Sequence, residues 1–195
     1  MSAEAASEPL SISRARRFVG RGRYVEGAGG RAPAADGPEG RIGSRLGCDG
    51  PGFVAWCLGY DRYQPGFAGG WDWIEPDAMI VEAESTARWF RSLALPERGA
   101  LIVYPSISLV RAGRIDRRGH VGLISLAPPD WTSHDARWST LRVIHCAASL
   151  QRRHGFAIGE THAVAWSSRA TFQGHSHPRW RTRFLRYVRE RGDSK

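Results

Sequence analysis

The most constraining feature of the chain is an abrupt junction near residue 49. Upstream, Gly27, Gly29, Gly30, Pro33, Gly37, Pro38, Gly40, Gly43 and Gly47 interrupt the backbone too often for regular structure, which predicts a long surface loop. Immediately downstream comes Asp49-Gly50-Pro51-Gly52-Phe53-Val54-Ala55-Trp56-Cys57-Leu58-Gly59. Asp49 suits an N-cap, Pro51 the first turn and Gly59 the left-handed end of a helix. The spacing predicts a helix over residues 51–58, apolar nearly all round and therefore packed inside the fold. A chain of 195 residues is long enough to enclose such a helix in one domain and short for two. Residues 1–10, small and acidic, are expected to be a loose tail, and residues 11–195 the domain.

Beyond the buried helix, Pro76 to Leu93 mixes Ala78, Met79, Val81, Trp89 and Phe90 with charges, the pattern of a second, more exposed helix. The pattern then changes. Leu101–Tyr104, His120–Leu126, Leu141–Cys146 and Ala163–Trp166 are short runs rich in β-branched and aromatic residues, set apart by Gly, Pro and Asp. A helix-rich first half before a strand-rich second half predicts an α+β fold, with N-terminal helices packed on an antiparallel sheet.

Composition narrows the function classes. Hydrophobic residues make up 42%, so a disordered chain is excluded. The net charge is +9, and Lys195 is the only lysine among 28 basic residues. A field of that sign is weak support for a polyanion such as nucleic acid. Cys48, Cys57 and Cys146 cannot all pair within one chain and form no Cys-x-x-Cys, so neither a disulfide scaffold nor a zinc ribbon is expected. The first twenty residues carry charges without an apolar run, which is not the pattern of a secretory signal. The longest uncharged apolar stretch, Ala100 to Val110, is about half of what crosses a bilayer. The expectation is a soluble chain with no membrane partner, cytoplasmic unless exported by another route.

The order of elements carries the chemistry. A thiol at a helix N-terminus gains from the helix dipole and free amides, which stabilise the thiolate, and a histidine on a facing strand can take its proton. Here a loop, a buried helix, a strand opening at His120 and another carrying His145 follow one another in the papain-like order. Four stretches extend the likeness: Tyr24–Gly30, Asp49–Gly59, Pro96–Pro105 and Gly119–Ile124. In these the chain resembles the NlpC-type family of papain-like cysteine peptidases, which cut peptides of bacterial cell walls; the resemblance runs from about Arg17 to Val188. It implies a papain-like fold with no cofactor and no metal, and a peptide or peptidoglycan partner. It implies His120 as the base, a polar residue that orients it, and Tyr24 as a cleft residue whose alternative is an ordinary core tyrosine. With no Asn in the chain, His145 is the best candidate for the orienting residue.

The departure falls at the nucleophile. The family's helix opens Asp-Cys-Ser-Gly, and the matching residues here are Asp49, Gly50, Pro51 and Gly52, so Gly50 stands where the attacking thiol belongs. Ala100 likewise replaces the family's Asp in the third stretch. Cys48 has two readings, a replacement thiol brought to the cleft by an altered loop path or an ordinary loop-end thiol, and the second is preferred. Cys57, about two helical turns beyond Gly50, and Cys146, on the opposite strand face from His145, are expected in the core.

Two further clusters have plain alternatives. His175 and His177 suggest a metal pair, yet a solvated loop before Pro178 accounts for them better. Arg179, Arg181, Arg183, Arg186, Arg189 and Arg191 with Trp180, Phe184 and Tyr187 suit phosphate contacts, or more simply a final edge strand or helix with a solvated face. Gly27–Gly30 lacks the Gly-Lys-Ser/Thr of a phosphate loop. Three functions follow in order: a degenerate peptidase relative that binds peptide or peptidoglycan, an active hydrolase of peptidoglycan stem peptides using Cys48 with His120 and His145, and a basic nucleic-acid binder.

Overall fold

Ile12 and Ala15 stand three residues apart, the spacing of one helix face, and both are fully buried on the first helix, α1 (Leu10–Arg16). The computed structural model describes residues 8–30, 36–63, 73–108, 115–117, 119–128, 138–164 and 182–188. Where composition suggested a tail over residues 1–10, Leu10 is already helical and Glu8 pairs with Arg16 and Arg98; residues 1–7 lie outside the described residues. The Gly27–Gly47 stretch is not one surface loop either. Ala28, Gly29 and Gly30 are buried, and a short antiparallel hairpin joins β1 (Gly40–Ile42) to β2 (Arg45–Gly47). Glycine permits this close stacking: a Cβ at Gly29 would lie 2.4 Å from the Pro38 carbonyl oxygen and 2.6 Å from the Cys48 Cβ.

The predicted buried helix is α2 (Gly50–Leu58). The Asp49 carboxylate accepts the Gly52 amide at 2.8 Å, Pro51 occupies the first turn, and Gly59 enters the left-handed region at φ 73°. All residues from Gly50 to Cys57 are buried, as an all-round apolar surface requires. The second helix is shorter than its apolar pattern predicts: α3 spans Pro76–Ser85, and Phe90–Leu93 is a strand, β3. A buried carboxylate ends it. Glu82, fully enclosed, accepts the Thr86 hydroxyl and the amides of Arg88, Trp89 and Phe90, while Ala87 turns the chain at φ 47°. Each such bond to a charged acceptor is worth roughly 1.5–3 kcal/mol, enough to outweigh the propensity of one more helical turn.

Then follow β4 (Leu101–Tyr104), the short pair β5 (Ile107–Ser108) and β6 (Ile115–Arg117), β7 (His120–Leu126) and β8 (Arg142–Cys146). Helix α4 (Ala148–His154) separates β8 from β9 (Ile158–His162), and β10 (Arg183–Tyr187) is the last described element. The fourth predicted strand is displaced, since Ala163 and Val164 already lie past β9, and Ala165 and Trp166 fall outside the described residues.

Six strands form one antiparallel sheet in the order β3-β10-β4-β7-β8-β9, so the fold is α+β. Alternation along β7 sends Val121 and Leu123 into the core shared with α1 and α2, and Ile124 into a second core with Ile102, Val143 and Trp138. Helix α2 packs on β7 and β8, which brings its N-terminal end to the His120 end of β7. The basic C-terminal segment is not an edge: β10 pairs with β3 on one side and β4 on the other, and Arg183 and Arg186 pair with Glu84 and Glu97. Arg179, Trp180, Arg181, Arg189 and Arg191, with His175 and His177, lie outside the described residues. Among the described residues no helix is long and apolar enough to cross a membrane.

Candidate functional site

Gly50 and His120 face each other across the start of α2. A Cβ built on Gly50 would lie 3.0 Å from both Nδ1 and Cε1 of His120 and 3.4 Å from the Cys146 carbonyl oxygen. The imidazole therefore sits against the first position of the helix, which has no side chain. The other ring nitrogen of His120, Nε2, is 2.9 Å from Nδ1 of His145, and Nε2 of His145 is 3.1 Å from the Thr161 hydroxyl on β9. Gly122 makes the contact possible. It shares a strand face with His120, and a Cβ there would come within 2.4 Å of Val143 Cγ1 and 3.1 Å of the His145 Cβ.

Burial pushes the His145 imidazole down to about 4, so it is neutral at physiological pH and carries a single ring proton. With His120 also neutral, two proton arrangements satisfy the chain of three. If His120 Nε2–H donates to His145 Nδ1, then His145 donates to Thr161, and Nδ1 of His120 presents a lone pair to position 50. If Thr161 donates to His145 and His145 to His120, Nδ1 of His120 presents a proton there instead. The first is the arrangement of a general base, the second that of a hydrogen-bond donor.

His145 also sets a pH dependence. In the unfolded chain its imidazole titrates near the ordinary value of about 6.5. Below that pH the unfolded chain takes a proton that the folded protein refuses until about pH 4, so stability is full above the unfolded value and falls as pH drops through this window. At about 1.4 kcal/mol per pH unit the loss is roughly 3 kcal/mol between pH 7 and pH 4. Urea unfolding at both pH values should show His145→Gln flattening the dependence by about that amount; a slope equal to wild type would refute it.

The thiols are elsewhere. Cys48 is fully buried, its sulfur 3.5 Å from that of Cys146, and it does not line the cleft. The altered loop path that would have brought it there does not occur, because Cys48 is clamped on both sides by backbone bonds to Arg23 and Val25. Cys57 is in the core, where burial pushes its thiol up, and Cys146 points away from His145 into the same core.

Outside the histidine pair the cleft holds about 600 Å³ and is lined by Tyr24 and Trp73 among its aromatic walls. Tyr24 thus lies at the cleft, with its amide donating to the Gln151 side chain. Sequence reasoning missed the acidic lining of Glu26, Glu75 and Asp77, and missed Arg62. Burial, then the neighbouring Asp77, pushes the Glu75 carboxyl up. Arg62, 1% exposed, grips Asp49 with two bonds of 2.7 and 2.9 Å, and the Trp73 ring lies 4.3 Å from its guanidinium carbon. The only sequence signal for the lining was its composition: Glu75-Pro76-Asp77 reads first as a helix start, and nothing local marks it as part of a cleft. Among the described residues no group of three or more His, Cys, Asp or Glu is arranged to hold a metal ion.

Compared with known proteins, the chain matches no family model, and no curated protein and no solved structure matches it.

Proposed function

We propose that the chain is a non-catalytic relative of the NlpC-type papain-like cysteine peptidases, whose cleft binds a peptide of the peptidoglycan stem class. The observation that carries this reading is the Gly50–His120 approach: a histidine pair in the relation of base and orienter faces a helix N-terminus from which the attacking group is missing. Packing of α2 on β7 and β8 of an antiparallel sheet supports the papain-like reading. With no thiol among the described residues lining the cleft, attack through an acyl-enzyme has no starting group, and the hydrolase that would use Cys48 is not favoured.

The lining supports the ligand class. Asp49 is paired with Arg62, and Glu75 and Asp77 add acidic groups to the described lining of the cleft in a chain of net charge +9. An amine-bearing peptide complements that patch. The test uses a synthetic stem-type tripeptide with a γ-glutamyl bond and a diamino acid, followed by titration calorimetry and by mass spectrometry of the peptide. The expected result is saturable binding without cleavage, weakened about fivefold or more by Asp77→Asn or by acylating the peptide amines. Cleavage of the peptide by the wild-type protein, or binding that ignores both changes, would overturn the proposal.

A further inference from the structure

Three cysteines do not make a scaffold, yet two of them meet. We propose that Cys48 and Cys146 are a disulfide-forming pair, oxidised when the chain folds in an oxidising environment. Their sulfurs are 3.5 Å apart, both residues are fully buried, and the Cys146 thiol also donates to the Cys48 carbonyl at 3.3 Å. The backbones that carry them are fixed. Cys48 donates its amide to Arg23 and accepts from Val25, and Cys146 closes β8 in register with Ile158 of β9. A disulfide of about 2.05 Å needs the sulfurs to approach by about 1.5 Å from their present 3.5 Å. The link closes a loop of nearly a hundred residues, the kind of closure that restricts an unfolded chain most.

The position of the bond matters for the site. Cys48 immediately precedes the cap Asp49 and stands two residues before Gly50; Cys146 immediately follows His145, and its carbonyl oxygen is 3.4 Å from where a Gly50 side chain would begin. Oxidation ties the N-terminal end of α2 covalently to the strand that carries the orienting histidine. The two thiols together give up two protons and two electrons. Oxidised glutathione accepts them: one protein thiolate displaces one glutathione to form a mixed disulfide, the second protein thiolate displaces the other, and two reduced glutathione molecules leave. Because both sulfurs are enclosed in the folded protein, the exchange runs before the core closes.

The experiment refolds reduced, denatured wild-type protein in mixed oxidised and reduced glutathione, alkylates it under denaturing conditions and maps the peptides. The expected result is a Cys48–Cys146 link with Cys57 alkylated, a urea midpoint above that of the reduced protein, and reduction by dithiothreitol at least about tenfold slower folded than unfolded. Cys57→Ala should leave the link intact and Cys146→Ala should abolish it. Three alkylated cysteines, a link that includes Cys57, or an oxidised form with a lower midpoint would overturn the proposal. The mapping reads only the sulfurs, so its failure leaves the peptide-binding reading standing, and the reverse also holds.

Discussion

Gly50→Cys is expected to give the protein a thiol that iodoacetamide alkylates at pH 6 about tenfold faster than a cysteine in the unfolded chain. The figure follows from opposing effects. A free thiol of pKa about 8.5 is roughly 0.3% thiolate at pH 6; beside an imidazole and a helix N-terminus a pKa near 6.5 makes that roughly 25%. The stabilised thiolate is also a weaker nucleophile, by nearly an order of magnitude for two pKa units, and about tenfold remains. The geometry constrains the result as well. The new Cβ would start 3.0 Å from His120 Nδ1, closer than ordinary packing, so the half-buried ring must retreat by a few tenths of an ångström while keeping its bond to His145. Gly50→Cys with His120→Ala should lose the enhancement, and the buried Cys48, Cys57 and Cys146 should label slowly in every variant. Labelling at position 50 no faster than in the unfolded chain, with or without His120, would mean that the cleft is not a dormant thiol site.

Local signals were strong where local chemistry decides. Asp49, Pro51 and Gly59 bracket α2 because a cap, a first-turn proline and a left-handed glycine act within a few residues of chain. The β-branched runs at Leu101–Tyr104 and His120–Leu126 became β4 and β7 for the same reason. Elements defined by a distant partner were illegible. Helix α4 buries only Leu150, and β9, Ile158-Gly159-Glu160-Thr161-His162, is too polar to announce a strand; it forms by pairing with β8. The apolar period of α3 runs on through Trp89 and Phe90, but Glu82 folds back onto their amides, a tertiary bond that no periodicity contains.

The site divides in the same way. The places of Gly50, His120 and His145 were legible because a helix start and two β-branched runs locate them by sequence order. The place of Cys48 was not, since it depends on how the Gly27–Gly47 segment packs, and that packing is set by close backbone approaches at several glycines. Arg62 was invisible for a different reason: in a chain with 28 basic residues, no local feature marks it as a side chain that is 1% exposed.

That arginine holds the start of α2 in place. Arg62 bonds Asp49 through both terminal nitrogens and the Ala28 carbonyl through one, its amide donates to Gly30, and its carbonyl accepts from Ile74. Asp49 in turn accepts the amides of Gly27 and Gly52, so one ion pair joins the buried loop, the first turn of α2 and the segment that leads to α3. Arg62→Met fills most of the volume but leaves the carboxylate enclosed without its cation. Removing one partner of a buried pair costs about 3–5 kcal/mol, a large share of the 5–15 kcal/mol that holds a typical domain together. Urea unfolding should show a loss of that size. Adding Asp49→Asn should recover part of it, because the amide no longer brings an uncompensated charge into the core and keeps an oxygen for one of the two backbone amides. The recovery separates charge from packing: a double variant at least as unstable as Arg62→Met would mean that the guanidinium acts through its contacts with Trp73 and the Ala28 carbonyl, and a single variant within about 1 kcal/mol of wild type would remove the ion pair as the anchor of the cleft.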